Sequence, residues 1–179
     1  MRKLLIAHAL MLICLVSSAQ KLSFPQSFVG NWKGTLAWNR AEKAPQQFTM
    51  RLNIQAVDSG RYTWQIIYGD DNPSTGNKVD DRPYVLLPVD TSKGHWQIDE
   101  RNTIVLDGYF IGNTFTSVFS VSGSTIVSKY ELTADGLIVS FTTYATNPIK
   151  KTGGTSKEIP PVDSYKVVGQ QQGLLKLEK

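Results

Sequence analysis

The stretch TIVLDGYFIGNTFTSVFSVSGSTIVSKYELTADGLIVSFTTY, residues 103–144, shows the same polar–apolar alternation in four successive runs. Each run has eight or nine residues in which polar and apolar side chains alternate, as they do in a strand with one buried face. Short groups of turn-forming residues separate the runs, namely Gly112-Asn113, Ser122-Gly123 and Ala134-Asp135-Gly136. Such residues tolerate the backbone angles of tight hairpins. The stretch therefore predicts four antiparallel strands that follow one another in a meander.

The same kind of run occurs on both sides of this stretch, whereas no segment after residue 19 sustains helical periodicity for three turns. We predict further strands near residues 29–38, 47–57, 61–68, 84–89, 94–99 and 164–169, with 174–177 as an additional candidate. Residues 69–83 and 145–163 are predicted to be long loops. A meander of about ten strands removes its exposed edges if it closes on itself. The expected fold is all-β, an up-and-down antiparallel barrel of about 8–10 strands, with a β-sandwich as the alternative.

The first nineteen residues have the composition of a secretory signal peptide. Arg2 and Lys3 precede an apolar run over residues 4–16, and small residues follow up to Ala19. The apolar run is shorter than the roughly twenty residues that a transmembrane helix needs, and no second run of this kind occurs. We therefore predict cleavage near Ala19, a secreted or periplasmic location, no transmembrane segment, and a single β-barrel domain over residues 20–179.

Cleavage at this point leaves few chemically reactive side chains. It removes the only cysteine and one of the two histidines, so that His95 is the only histidine of residues 20–179. This excludes thiol nucleophiles and metal sites with two histidines. The 19 basic residues, less Arg2 and Lys3, leave 17 against 15 acidic residues, which gives no electrostatic case for a nucleic-acid partner. No catalytic residue, metal site or cofactor is assigned, and the composition favours binding over catalysis.

The residues Phe28-Val29-Gly30-Asn31-Trp32 open the first predicted strand. This motif resembles the start of the calycins, the superfamily of lipocalins and intracellular fatty-acid-binding proteins. The resemblance implies that Gly30 lets the entering chain approach the base of the barrel, and that Trp32 closes the base under the core. The resemblance implies a lipocalin-like barrel that holds a small apolar molecule of lipid type. No arginine follows Arg101, so the late arginines with which fatty-acid-binding proteins hold a carboxylate are missing.

Alternation within each predicted strand identifies the side chains that face the interior. The inward set combines aromatic rings, which supply apolar contact area, with hydroxyls that can orient a guest molecule. The predicted cavity wall consists of Tyr62, Trp64, Ser117, Phe119, Ser128, Tyr130, Phe141 and Thr143. The alternative is a filled core, in which the rings occupy the interior and the hydroxyls bond to neighbouring backbone.

The leading hypothesis is a secreted or periplasmic protein that binds a small apolar ligand inside the barrel. A second hypothesis is an envelope interaction module that binds protein or glycan through surface aromatics such as Trp38 and Trp96. A third is an isomerase or cyclase that uses the cavity, for which a buried Asp107 with a raised pKa would be the signature. Haem held by His95 is a variant of the binding hypothesis. The oligomeric state stays open.

Overall fold

The structure is a computed structural model that describes residues 23–70 and 79–178. The predicted signal peptide, with its cleavage position near Ala19, lies outside the described residues. The described residues form ten strands: β1 (Gly30–Arg40), β2 (Gln46–Ile54), β3 (Tyr62–Tyr68), β4 (Asp80–Asp90), β5 (His95–Asp99), β6 (Val105–Ile111), β7 (Thr114–Val121), β8 (Ser124–Thr133), β9 (Gly136–Thr152) and β10 (Val162–Leu177). Short 3₁₀ turns lie at Gln26–Phe28 and Thr91–Lys93. In this part of the chain, no helix is long and apolar enough to cross a membrane.

The ten strands form one closed antiparallel barrel. Each strand pairs with its neighbours in sequence, and β10 pairs with β1 to complete the circle. The predicted up-and-down barrel is thereby confirmed over the β-sandwich. The hairpin turns also follow the sequence pattern. Between β7 and β8, Ser122 and Gly123 have φ values of 49° and 77°, which are the two positive angles that a two-residue type I′ turn requires.

The long loop predicted over residues 145–163 is wrong, because β9 and β10 continue through most of it as a two-stranded arm. Within the described residues, the pairing of this arm with β8 and β1 stops at Ala145 and Gly169. Pro148 lies within β9 and pairs with Tyr165 on one side only, and proline is tolerated on a strand with a free edge. The arm is exposed to solvent, and the side chain of Ile149 is 67% accessible.

The end of the barrel at which β1 begins is filled, and we call it the closed end. The ring of Phe24, just before the first 3₁₀ turn, stacks on Phe110 and Phe115 with centroids 4.8 and 4.7 Å apart. It meets three further rings edge to face. Together these rings form what we call the aromatic plug: Phe24, Phe28, Trp64, Trp96, Phe110 and Phe115. Such offset and edge-to-face contacts stabilise a core beyond the burial of apolar area.

The residues Gly30 and Trp32 secure the closed end. Trp32 is buried, and its Nε1–H donates to the carbonyl oxygen of Phe28 at 2.8 Å, which ties the 3₁₀ turn to β1. Gly30 has a φ of 151°, and a Cβ at this position would clash with Cδ1 of Leu177. Glycine therefore allows the end of β10 to approach the start of β1. Trp32 and Phe24 both close this end of the barrel, and the sequence pattern indicated only Trp32.

Candidate functional site

The interior is hollow beyond the aromatic plug, toward the opposite end of the barrel, which we call the open end. A cavity of about 170 Å³, the inner cavity, begins where Tyr130 packs edge to face on Trp64 with ring centroids 5.0 Å apart. Its wall is largely aromatic and aliphatic, with polar groups from several strands. The lining residues are Ile66, Tyr68, Arg82, Tyr84, Ile98, Glu100, Leu106, Phe119, Ile126, Ser128, Tyr130, Phe141, Thr143 and Gln171.

A second cavity of about 430 Å³, the mouth cavity, adjoins the inner cavity at the open end. Tyr68, Arg82 and Gln171 line both cavities, so these three side chains stand at the passage between them. The other residues of the mouth are Trp38, Gln46, Gln47 and Phe48. Among these described lining residues Arg82 is the only charged one. The two cavities thus differ in chemistry, since rings and aliphatic side chains dominate the inner one and amides and a guanidinium mark the mouth.

The predicted wall residues divide into two groups. Five of them line the inner cavity, namely Phe119, Ser128, Tyr130, Phe141 and Thr143. Tyr62, Trp64 and Ser117 are buried but belong to the filled part of the interior. Alternation predicts which side chains face inward, and it placed all eight on the inner face. It does not predict where along the barrel axis the filled part of the interior ends and the cavity begins.

Two of the inward hydroxyls bond to neighbouring backbone, as the filled-core alternative expects. Ser117 Oγ donates to the carbonyl oxygen of Asp107 at 2.5 Å, and Ser128 Oγ donates to the carbonyl oxygen of Ser117 at 3.4 Å. The long second contact is weak by geometry. Of the two, only Ser128 also borders the inner cavity, so it is the hydroxyl that remains in reach of a guest molecule.

Five polar lining residues are absent from the predicted cavity wall: Tyr68, Arg82, Tyr84, Glu100 and Gln171. Arg82 was missed because β4 begins at Asp80 rather than near residue 84, so that residues 69–83 are not all loop. Once β4 starts there, Arg82, Tyr84 and Leu86 alternate onto one inner face. The same rule applied beyond the end of β5 would have placed Glu100 inward, after Trp96 and Ile98.

Arg82 lies within a network at the rim of the open end. Its Nε–H and Nη2–H groups donate to Oδ2 of Asp80 at 3.0 and 2.6 Å, and this pairing lowers the pKa of Asp80. The guanidinium carbon lies 5.0 Å from the ring centroid of Tyr68, within cation–π range. The Arg82 side chain is 42% accessible. A guanidinium carries five N–H donors, and Asp80 engages two of them, so the group retains donors for a further partner.

The tyrosines of the cavity are neutral at physiological pH. Burial raises the pKa of Tyr68 to about 12, although the charge of Arg82 acts in the opposite direction. Burial also raises the pKa of Tyr130 and of Tyr84, and the carboxylate of Glu100 adds to the effect at Tyr84. These phenols therefore act as polar hydrogen-bonding groups, and Arg82 and Glu100 carry the charges of the inner cavity.

His95 and Asp107 lie on the outer face of the barrel, away from both cavities. Trp96 and Ile98 are the buried residues of β5, so His95 alternates outward, where its ring stacks on Tyr109 at 4.7 Å. His95 Nε2 bonds to Oδ1 of Asp107 at 2.7 Å, and this bond lowers the pKa of Asp107. Asp107 therefore lacks the signature of the third hypothesis, a buried carboxylate with a raised pKa, because its side chain is exposed and hydrogen-bonded.

The two tryptophans considered as surface aromatics have different environments. Trp96 is 5% exposed and belongs to the aromatic plug, so it is not available to a partner. Trp38 lines the mouth cavity, and the guanidinium carbon of Arg40 lies 3.8 Å above its ring.

Comparisons with known proteins leave the resemblance to the calycins as an expectation from the sequence. No protein-family model matches the chain, and neither the curated proteins nor the solved structures include a significant match. The features that bear on function are therefore the barrel and its two cavities.

Proposed function

We propose that this protein binds a small, mainly apolar molecule in the inner cavity, with access through the mouth. The observation that carries the proposal is the division of the barrel interior into a filled closed end and a hollow open end. A barrel built only for stability would gain from filling the remaining space, because cavities cost packing energy. Apolar walls with a few polar groups at one side are also the usual composition of a ligand pocket.

The size of the inner cavity limits the guest. An engineered apolar cavity of about 150 Å³ is known to hold benzene, so a cavity of about 170 Å³ accommodates a compact molecule of one or two rings. A long acyl chain does not fit within it. A lipid-type ligand, as the resemblance to the calycins implies, would have to extend through the passage into the mouth cavity.

Filling the cavity is the direct test. We expect Thr143→Phe to weaken binding of the neutral probe 3-phenylpropanol by tenfold or more, roughly, because the added ring enters the inner cavity that Thr143 lines. Isothermal titration calorimetry on the purified protein measures the affinity. The matched control is Thr142→Phe, because Thr142 is the next residue on β9 and alternates to the outer face.

Two results would count against the proposal. The first is saturable binding that Thr143→Phe leaves unchanged, since the guest would then lie outside the inner cavity. The second is the absence of heat from the wild-type protein with 3-phenylpropanol and with other one-ring and two-ring neutral aromatics. Thermal unfolding of both variants checks that each remains folded.

We further propose that the protein works outside the cytoplasm, on the strength of the sequence of residues 1–19. Expressed with its full N-terminus in a secreting host, the protein is expected in the exported fraction with Gln20 as its first residue. Intact-mass measurement of the exported protein identifies the cleavage position. Recovery of the uncleaved chain from the cytoplasm alone would contradict this expectation.

A further inference from the structure

We infer that the physiological ligand is a compact aromatic acid, with its ring in the inner cavity and its anionic group in the mouth at Arg82. This inference rests on the proposed function and adds the chemical class and the orientation of the ligand. It follows from the change in chemistry between the two cavities and from the position of Arg82, which lines both of them.

The inner cavity is suited to a ring. Tyr130 and Phe141 meet edge to face with centroids 5.9 Å apart, and both line the cavity together with Phe119. Aromatic walls of this kind favour a planar guest through offset and edge-to-face contacts. Because the cavity volume fits only one or two rings, the rest of any longer ligand must extend past Arg82 into the mouth.

The guanidinium of Arg82 stands at that passage. It lines both cavities, and Asp80 occupies only one edge of it through a single carboxylate oxygen. The remaining N–H groups can bind an oxyanion, and arginine recognises carboxylates through paired N–H donors.

Arg40 places a second cationic side chain beside the mouth, because it contacts two of the lining residues, Trp38 and Gln46. It follows Leu36 and Trp38 on the inner face of β1, donates from Nη2 to Oε1 of Gln46 at 2.8 Å, and stacks on Trp38. Its Nε–H is buried and has no hydrogen-bond partner among the described residues. None of the described carboxylates lies within ion-pair distance of Arg40. A cation of this kind at the rim is complementary to an anionic ligand.

The position of Glu100 sets the orientation of the ligand. Glu100 borders the inner cavity but not the mouth. A carboxylate in the inner cavity would face Glu100 as well as Arg82, whereas a carboxylate in the mouth would face Arg82 without Glu100. The uncharged ring therefore takes the inner position, where burial of apolar area provides the binding free energy.

The test compares two probes that differ only in charge, 3-phenylpropanoate and 3-phenylpropanamide, by isothermal titration calorimetry at low salt. We expect the wild-type protein to bind the acid about tenfold more tightly than the amide, because the carboxylate forms charge-assisted hydrogen bonds. Arg82→Gln should bring the ratio of the two affinities close to one, because the acid loses its charge-assisted hydrogen bonds. Arg40→Gln should reduce the ratio in part.

The control is Arg61→Gln, because Arg61 pairs with Asp58 in the turn before β3, away from the cavities. This variant should keep the wild-type ratio. Equal affinities for acid and amide in the wild-type protein would overturn the inference and leave the proposed function intact. An unchanged ratio in Arg82→Gln would overturn the role of Arg82. Absence of binding by both probes and by 3-phenylpropanol would overturn the proposed function and the inference together.

Discussion

Replacing Trp64 by alanine is expected to lower the free energy of unfolding by about 3–5 kcal/mol, the range found for aromatic residues truncated in well-packed cores. The Trp64 side chain is fully buried on β3 and meets the rings of Phe24, Phe115 and Tyr130. Its removal leaves a void beneath the inner cavity that neighbouring β-sheet backbone cannot close. Chemical denaturation, followed by circular dichroism, measures the loss.

The variant Trp64→Phe is the matched control. The Nε1–H of Trp64 is buried and forms no hydrogen bond in the described part of the chain. An unsatisfied buried donor costs about 1–3 kcal/mol, so phenylalanine removes that cost while it keeps one ring in place. We expect Trp64→Phe to be much less destabilising than Trp64→Ala. Equal losses for the two variants would show that the N–H is satisfied, or that the indole fills space that one ring cannot.

The second large effect is expected at Phe24. Its ring touches five other aromatic rings of the closed end, although it lies outside every strand. Phe24→Ala should therefore lower the free energy of unfolding by about 3 kcal/mol or more. Denaturant titration measures this change, and calorimetry with 3-phenylpropanol measures ligand affinity in the same variant.

The comparison variant is Phe141→Ala at the other end of the barrel. Phe141 borders the inner cavity and therefore has fewer packed neighbours to lose. We expect Phe141→Ala to cost less stability than Phe24→Ala and to weaken ligand binding, whereas Phe24→Ala keeps the affinity of the folded protein. If Phe24→Ala abolished binding without loss of stability, the division into a filled and a hollow end would be wrong.

Much of the barrel can be predicted from local pattern alone. On β2, Met50, Leu52 and Ile54 are buried while the residues between them are more exposed, as alternation predicts. The pairing of consecutive strands could be predicted as well, because short turn groups such as Ser122-Gly123 allow only tight hairpins between them.

The site could be predicted only in part, because its position depends on the whole barrel. Phe24 precedes the first strand, and no local pattern indicates that its ring enters the barrel from below. Trp64 and Phe141 are both inward, yet one is part of the filled end and the other borders the cavity. That difference arises from the side chains that neighbouring strands place beside each residue. Alternation within one strand does not predict those neighbours.

Arg82 could be predicted as a lining residue only if β4 was known to begin at Asp80. The segment Asp80-Asp81-Arg82-Pro83 has the composition of a loop, and the propensities of these residues oppose a strand. Pairing with β3, which aligns Arg82 with Ile66, overrides those propensities. The resemblance to the calycins implies an arginine on a late strand, but no arginine follows Arg101. The arginine that lines the cavity is Arg82, on β4.

A ligand is expected to enter the barrel at the open end, to reach the plug only at Trp64, and to leave Trp32 and Trp96 undisturbed. The four tryptophans report on this directly, since Trp38 lines the mouth, Trp64 backs the inner cavity, and Trp32 and Trp96 belong to the closed end. The measurement is a ¹H–¹⁵N NMR titration of the indole N–H signals with 3-phenylpropanoate, assigned with single tryptophan-to-phenylalanine variants. We expect the signals of Trp38 and Trp64 to shift saturably while those of Trp32 and Trp96 stay in place. Shifts confined to Trp32 and Trp96, or no shift at any of the four, would contradict the account.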